Sequence, residues 1–105
     1  MIVEKKQIPK TLIIFLDIES LRTGNELENI YEEFYELVIS AGAEIVEKSI
    51  SKQKAPSVSH FIGKGKLDEI KHLVELSCAE LVIVNHQLSA SQARNLELQL
   101  KVRVI

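Results

Sequence analysis

The chain has 105 residues, 46% hydrophobic and 27% charged, with a net charge of -2, which excludes a disordered polyelectrolyte and a uniformly basic nucleic-acid binder and fits one globular domain. Its single cysteine excludes an internal disulfide and suits a reducing compartment. No apolar run approaches the ~20 residues that span a bilayer, and Met1 to Lys10 does not form a signal peptide, so a soluble cytoplasmic protein is expected.

The first element is TLIIFLD, Thr11 to Asp17, a short apolar run that suits a strand covered on both faces. Ile18 to Asn25 has loop composition, with a helix N-cap expected among Thr23, Gly24 and Asn25. Leu27, Ile30, Tyr31, Phe34, Val38 and Ala41 then recur at helical spacing, and Gly42 supplies the stop. Ala43 to Ile50 reads as a second strand, Ser51 to Ser59 as a polar loop, and His60 to Ile62 as a short strand broken by Gly63 and Gly65. Leu67, Ile70, Leu73, Val74 and Ser77 mark a second amphipathic helix. Leu81 to Val84 is a third buried strand. Ser89 and Gln92 have capping-box spacing and open a third helix reaching about Leu100. Val102 to Ile105 is a fourth strand, and a chain that stops inside an apolar strand reads as part of a longer protein.

The expected fold is therefore α/β, with about four mainly parallel strands and three helices in β-α-β-α-β-α-β order, as a single domain over residues 1–105. Ligands of such sheets sit beyond the carboxyl ends of the strands. That edge holds Asp17 to Asn25 and Asn85 to Gln92.

Charge is segregated along the chain. Thr23 to Glu47 contains seven acids and no Lys or Arg, whereas Lys48 to Leu67 contains Lys48, Lys52, Lys54, Lys64, Lys66 and His60 and no acid. Such a segment can form a basic lobe that touches phosphate despite the negative net charge, or it can be solvated surface. Within it, Gly63-Lys64-Gly65-Lys66 suggests a phosphate cradle. A Walker A loop would need glycine where His60 stands and Ser or Thr where Leu67 stands, and a dinucleotide fingerprint would need glycine where Asp68 stands. Asp68 and Glu69 also compete with an anion for the start of the second helix. Three roles stay open for Gly63 and Gly65: turn formation, nucleotide binding, or an exposed RNA-contacting loop.

Ser89, Ser91, Gln92, Arg94 and Asn95 form a polar cluster at the start of the third helix. Capping accounts for Ser89 and Gln92. Arg94 and Asn95 are consecutive and cannot both face the core, which leaves one or both for a partner. His60, His72 and His86 are scattered without a metal-binding spacing, so no metal site is expected. Cys78 reads as a buried structural thiol and not as a nucleophile. No catalytic residue is assigned.

FIGKGKLDEI, Phe61 to Ile70, resembles the YIGKGK-plus-helix signature of the HflX family of ribosome-associated GTPases. It is followed at the family's spacing by AELVIVN, Ala79 to Asn85, and by LSASQARNLE, Leu88 to Glu97, similar to the family's L-S-P-S-Q-x-R-N-L-E block. Leu37 to Val46 is similar to its L-x-x-x-A-G-A-E-V-V segment. The chain departs from the family at Asn85 and His86, where acids are frequent, at Ala90, which replaces a common proline, and at Ser77-Cys78, which replaces a Thr-Gly helix end.

The resemblance implies the N-terminal domain of such a GTPase, binding the large ribosomal subunit and its rRNA and modulating its own G domain, in proteins associated with ribosome dissociation or rescue under stress. GTP and Mg would belong to that G domain, with no cofactor in this chain. The sequence contains no G-x-x-x-x-G-K-[ST] and no N-K-x-D, so the chain alone is not expected to be an enzyme. The residues expected to meet RNA or a partner are Lys52, Lys54, His60, Lys64, Lys66, Arg94 and Asn95. Two other readings are a purine-nucleotide-binding domain with weak ATPase activity and a stand-alone interaction module that pairs through Val102 to Ile105.

Overall fold

The computed structural model describes residues 8–21 and 27–105, with side chains from residue 30 onward in the first helix. Its elements are β1 (Lys10–Ile18), a 3-10 turn (Glu19–Leu21), α1 (Leu27–Ser40), β2 (Glu44–Gln53), α2 (Lys64–Ser77), β3 (Leu81–Val84), α3 (Ala90–Leu100) and β4 (Arg103–Val104). The four strands form one parallel sheet in the order β2-β1-β3-β4. The strand and helix order is the one expected from the sequence. The cap expected among Thr23, Gly24 and Asn25 lies outside the described residues.

β1 lies inside the sheet, which is why its residues from Thr11 to Ile18 are all buried. Successive side chains of a strand point to opposite faces. On one face Phe15 meets α1, edge-on to Tyr31 with ring centroids 5.2 Å apart and tilted to Phe34 at 6.0 Å. On the other, Leu12, Ile14, Leu16 and Ile18 pack with Ile70 and Val74 of α2 and Leu96 and Leu100 of α3 in one core cluster. Fully burying a side chain of this size contributes roughly 1.5–3 kcal/mol. The three layers follow from the topology. Strand order turns back after β2, and right-handed crossovers then put α1 on one face and α2 with α3 on the other.

Helix ends are closed by left-handed residues. Gly42 takes φ 93 after α1, a conformation open to glycine. Cys78 at φ 56 and Lys101 at φ 59 cap α2 and α3, their N–H groups donating to Val74 O and Glu97 O.

The structure differs from the sequence expectations at several points. β2 does not end at Ile50: Leu16, Asp17 and Ile18 pair with Ser51, Lys52 and Gln53, so backbone pairing to β1 carries the strand on through polar residues. His60 to Ile62 is not a sheet strand. Residues 58–60 turn, and Ser57 and Phe61 face each other in an isolated antiparallel bridge. The second helix begins at Lys64, so Gly65 lies in its first turn and Asp68 and Glu69 fall beyond that turn. Regular β4 is confined to Arg103–Val104, although Ile105 exchanges backbone bonds of 2.9 Å with Val82 and Val84. Cys78 is exposed, not buried, because the left-handed cap turns it out of the core.

Candidate nucleic-acid interface

At the carboxyl edge of the sheet, the connection from β2 to α2 is held from three sides. Gln53, the last residue of β2, donates through Nε2 to Ala55 O at 2.6 Å and Phe61 O at 2.8 Å, while its Oε1 accepts from Gly63 N–H at 2.9 Å. Ser57 and Phe61 exchange backbone bonds of 2.9 Å in both directions and close a small loop over residues 57–61. Ser20 N–H donates to Lys54 O at 2.9 Å, tying the loop's approach to the turn after β1.

The third support is α3. Ser89 and Gln92 form a complete capping box, and the Gln92 amide does a second job: Nε2 donates to Ser57 O at 3.2 Å and Val58 O at 3.3 Å. One turn further on, Asn95 Nδ2 donates to Ser59 O at 2.7 Å. Two members of the polar cluster therefore satisfy loop carbonyls that would otherwise compete for solvent. Arg94, between them in sequence, is exposed and has no hydrogen bond or ion pair with a described residue.

The loop they hold is strained at one end and bare at its tip. Phe61 is buried with φ 67, a conformation uncommon for a bulky residue and tolerated only where surrounding contacts fix it. Its ring lies 5.3 Å from that of His86. At the tip Val58 is 92% exposed. His60 is half-buried, hydrogen-bonds Ser59 Oγ through Nδ1 at 2.8 Å, and lines a cavity of about 280 Å³ with Ser57, Ser59, Lys64 and Asp68.

The lysines do not form one lobe. Lys52 pairs in register with Asp17 on the face of the sheet that α1 covers, and Lys48 lines a cleft with Tyr31, Glu32, Tyr35 and Glu36 of that helix. Lys66 is ion-paired with Glu69 at 2.9 Å, a surface pair of small stabilising value. Lys54 and Lys64 flank the 57–61 loop, are exposed, and have no ion pair among the described residues. The basic character near the loop thus comes from Lys54 and Lys64, and Arg94 is an exposed cation on the helix that braces it.

Gly63 is the N-cap of α2 in extended conformation, and Gly65 is helical. Neither has positive φ. A Cβ at Gly65 would meet nothing within 4 Å, and one at Gly63 only Gln53 Oε1 at 3.6 Å. The domain's own packing does not require either glycine.

Between β1 and β3, where strand order changes direction and such sheets open a crevice, protein groups fill the edge. Leu16 N–H donates to Asn85 Oδ1 at 2.8 Å, Asn85 Nδ2 donates to Leu16 O at 3.2 Å, and His86 Nε2 also reaches that oxygen at 2.8 Å. Among the described residues no three His, Cys, Asp or Glu side chains gather as a metal-holding group, and no helix is long and apolar enough to cross a membrane.

Sequence reasoning missed Gln53 and Val58. Val58 did leave a signal, as a large aliphatic residue between two serines in an otherwise polar stretch. Gln53 left none, because its three partners lie in a loop whose path the sequence does not give.

These features define a doubly wound parallel α/β domain that presents a braced loop at the carboxyl edge of its sheet. Comparison with known proteins specifies it further. A family model described as GTP-binding GTPase N-terminal matches residues 28–105. The GTPase HflX of Caldanaerobacter subterraneus subsp. tengcongensis is 44% identical over 80 residues, covering 76% of this chain and 19% of that protein. The GTPase HflX of Escherichia coli is 42% identical over 74 residues, covering 70% and 17%. A solved GTP-binding protein from the archaeon Sulfolobus solfataricus, in complex with GDP, superimposes with a TM-score of 0.64 at 28% identity, over 91% of this chain and 27% of that one. The chain belongs to the GTP-binding GTPase N-terminal family, as the N-terminal domain of an HflX-type GTPase. It spans 19% and 17% of the lengths of these two curated relatives.

Proposed function

We propose that this domain is the ribosome-contacting and regulatory part of a cytoplasmic HflX-type GTP-binding protein, and that it binds rRNA of the large ribosomal subunit through the carboxyl edge of its sheet. GTP and Mg are then held by a separate G domain, and the N-terminal domain contributes position and control instead of chemistry. The role in ribosome dissociation or rescue under stress follows from that assignment. One observation carries the reading: Lys54 and Lys64 are exposed cations without ion pairs among the described residues, on either side of a loop fixed by Gln53, Gln92 and Asn95, and Arg94 is a third on the helix that braces it. Fixed cations on a braced loop suit phosphate contacts, which position a protein on RNA without reading its sequence.

Co-sedimentation with purified large ribosomal subunits tests this. About three phosphate contacts give a log–log salt slope of roughly -2, so a fourfold rise in salt weakens binding by about sixteenfold. Lys54→Glu, Lys64→Glu and Arg94→Glu should each lower both affinity and slope. Pelleting that is indifferent to salt and to these three exchanges overturns the proposal.

A further inference from the structure

The 57–61 loop has a construction that charge alone does not explain. A loop that only carried lysines to phosphate could remain loose, since Lys side chains are long and adaptable. Here the backbone carbonyls of Ser57, Val58, Ser59 and Phe61 are all hydrogen-bonded from inside the domain, by Gln92, Asn95, Gln53 and the Ser57 N–H. Phe61 is buried in a left-handed conformation at the base. All of this fixes a tip that carries Val58, an apolar residue 92% exposed. The Val58 side chain buries almost nothing within the domain, and burying it elsewhere costs little further conformational entropy, because a valine has one side-chain torsion and this backbone is already fixed.

We infer that Val58 is the apolar contact of the RNA interface, a preformed point that packs against the face of an unstacked base or a ribose while Lys54, Lys64 and Arg94 meet the flanking phosphates. The inference rests on the ribosome-binding reading above. RNA is favoured over a protein groove by the surroundings. A single aliphatic side chain flanked by Ser57 and Ser59 makes too small an apolar patch to anchor a protein interface, where aromatic and larger aliphatic anchors dominate. The exposed Lys54 and Lys64 beside it suit the phosphates that flank a splayed-out base, which an apolar protein groove would not supply. Asn95 is on this view a positioning residue: its Nδ2 holds Ser59 O and so aims the tip.

The salt slope separates apolar from ionic contacts, because a contact that releases no counterion changes affinity without changing slope. Val58→Ser should weaken binding to large subunits, and to protein-free large-subunit rRNA, by about tenfold, the loss expected for an unburied valine side chain, at an unaltered slope and unaltered thermal midpoint. Lys64→Glu should lower the slope. Asn95→Ala should weaken binding, and in the Val58→Ser background it should add little, since both act through one contact.

If Val58→Ser binds subunits as the parent does while Lys64→Glu is impaired, the ribosome reading stands and the Val58 contact is overturned. If Val58→Ser loses subunits but keeps rRNA, the occupant is a ribosomal protein and the inference is equally overturned. If the parent chain fails to bind subunits at all, both readings fall together.

Discussion

Asn85 and Leu16 face each other across the point where strand order reverses, and the asparagine amide completes the hydrogen bonding that β1 would otherwise lack there. Oδ1 accepts from Leu16 N–H at 2.8 Å and Nδ2 donates to Leu16 O at 3.2 Å. A side chain thus imitates the next residue of a neighbouring strand and ends the sheet without leaving a buried group unpaired. Asn85→Ala removes both bonds and leaves the Leu16 N–H without that acceptor. The expected cost is about 1–3 kcal/mol, seen as a lower urea midpoint at unchanged denaturant slope.

Gly65 and Cys78 sit in the wrong places for their backbone preferences, at opposite ends of α2. Gly65 is helical with open space where a Cβ would go, and Cys78 is left-handed where glycine is at ease. Gly65→Ala is expected to stabilise the domain by about 0.5 kcal/mol and Cys78→Gly by up to about 1 kcal/mol. Urea titration of each variant checks the signs, and a lower midpoint for either shows that the local geometry is otherwise.

Gln53 must donate on one side and accept on the other. Gln53→Glu keeps the acceptor for Gly63 N–H but turns a carboxylate toward the carbonyls of Ala55 and Phe61. A loss of about 1–3 kcal/mol is expected, with faster amide exchange concentrated at Ser57 and Phe61. Uniform exchange throughout the domain would place the effect elsewhere.

Ser89 and Gln92 should prove unequal. Ser89→Ala deletes one cap and costs about 1 kcal/mol. Gln92→Ala deletes the reciprocal cap bond to Ser89 N–H and both loop bonds. It should cost more and should loosen residues 57–61, which Ser89→Ala leaves in place. Thermal melts of both variants, with amide exchange at Ser57 and Phe61, distinguish a capping residue from a residue that also clamps a loop.

How much of this was legible in the sequence depended on whether local or distant contacts decide each element. β1 was legible because an inner strand needs apolar residues on both faces, and Leu12 to Leu16 supply them without interruption. α3 was legible because its cap is written in Ser89 and Gln92 themselves. The extension of β2 through Gln53 was not, since its pairing depends on the backbone of Ile18 and its own residues are polar. Nor was the start of α2, whose N-cap Gly63 makes no side-chain cap bond. The charge segregation in the sequence was real, but strand alternation sends Lys48 and Lys52 to the side of acidic α1 while Lys54 and Lys64 bracket the loop. That loop is held by α3 residues 34–36 positions away in sequence, a relationship that no local pattern carries.

Among the described residues β2 is also the outer boundary of the sheet over ten residues, with one flank of its main chain turned from β1. Long uncovered margins of this kind recruit foreign strands unless charge interrupts them. Lys48 and Lys52 stand on either side of half-exposed Ile50 and supply that interruption. Neutralising both would make the margin adhesive, and material lost to clumping would pass for lost ribosome affinity. Arginine at the two sites keeps both the guard and the cations beside Asp17, Glu32 and Glu36, whereas glutamate there would set like charges together.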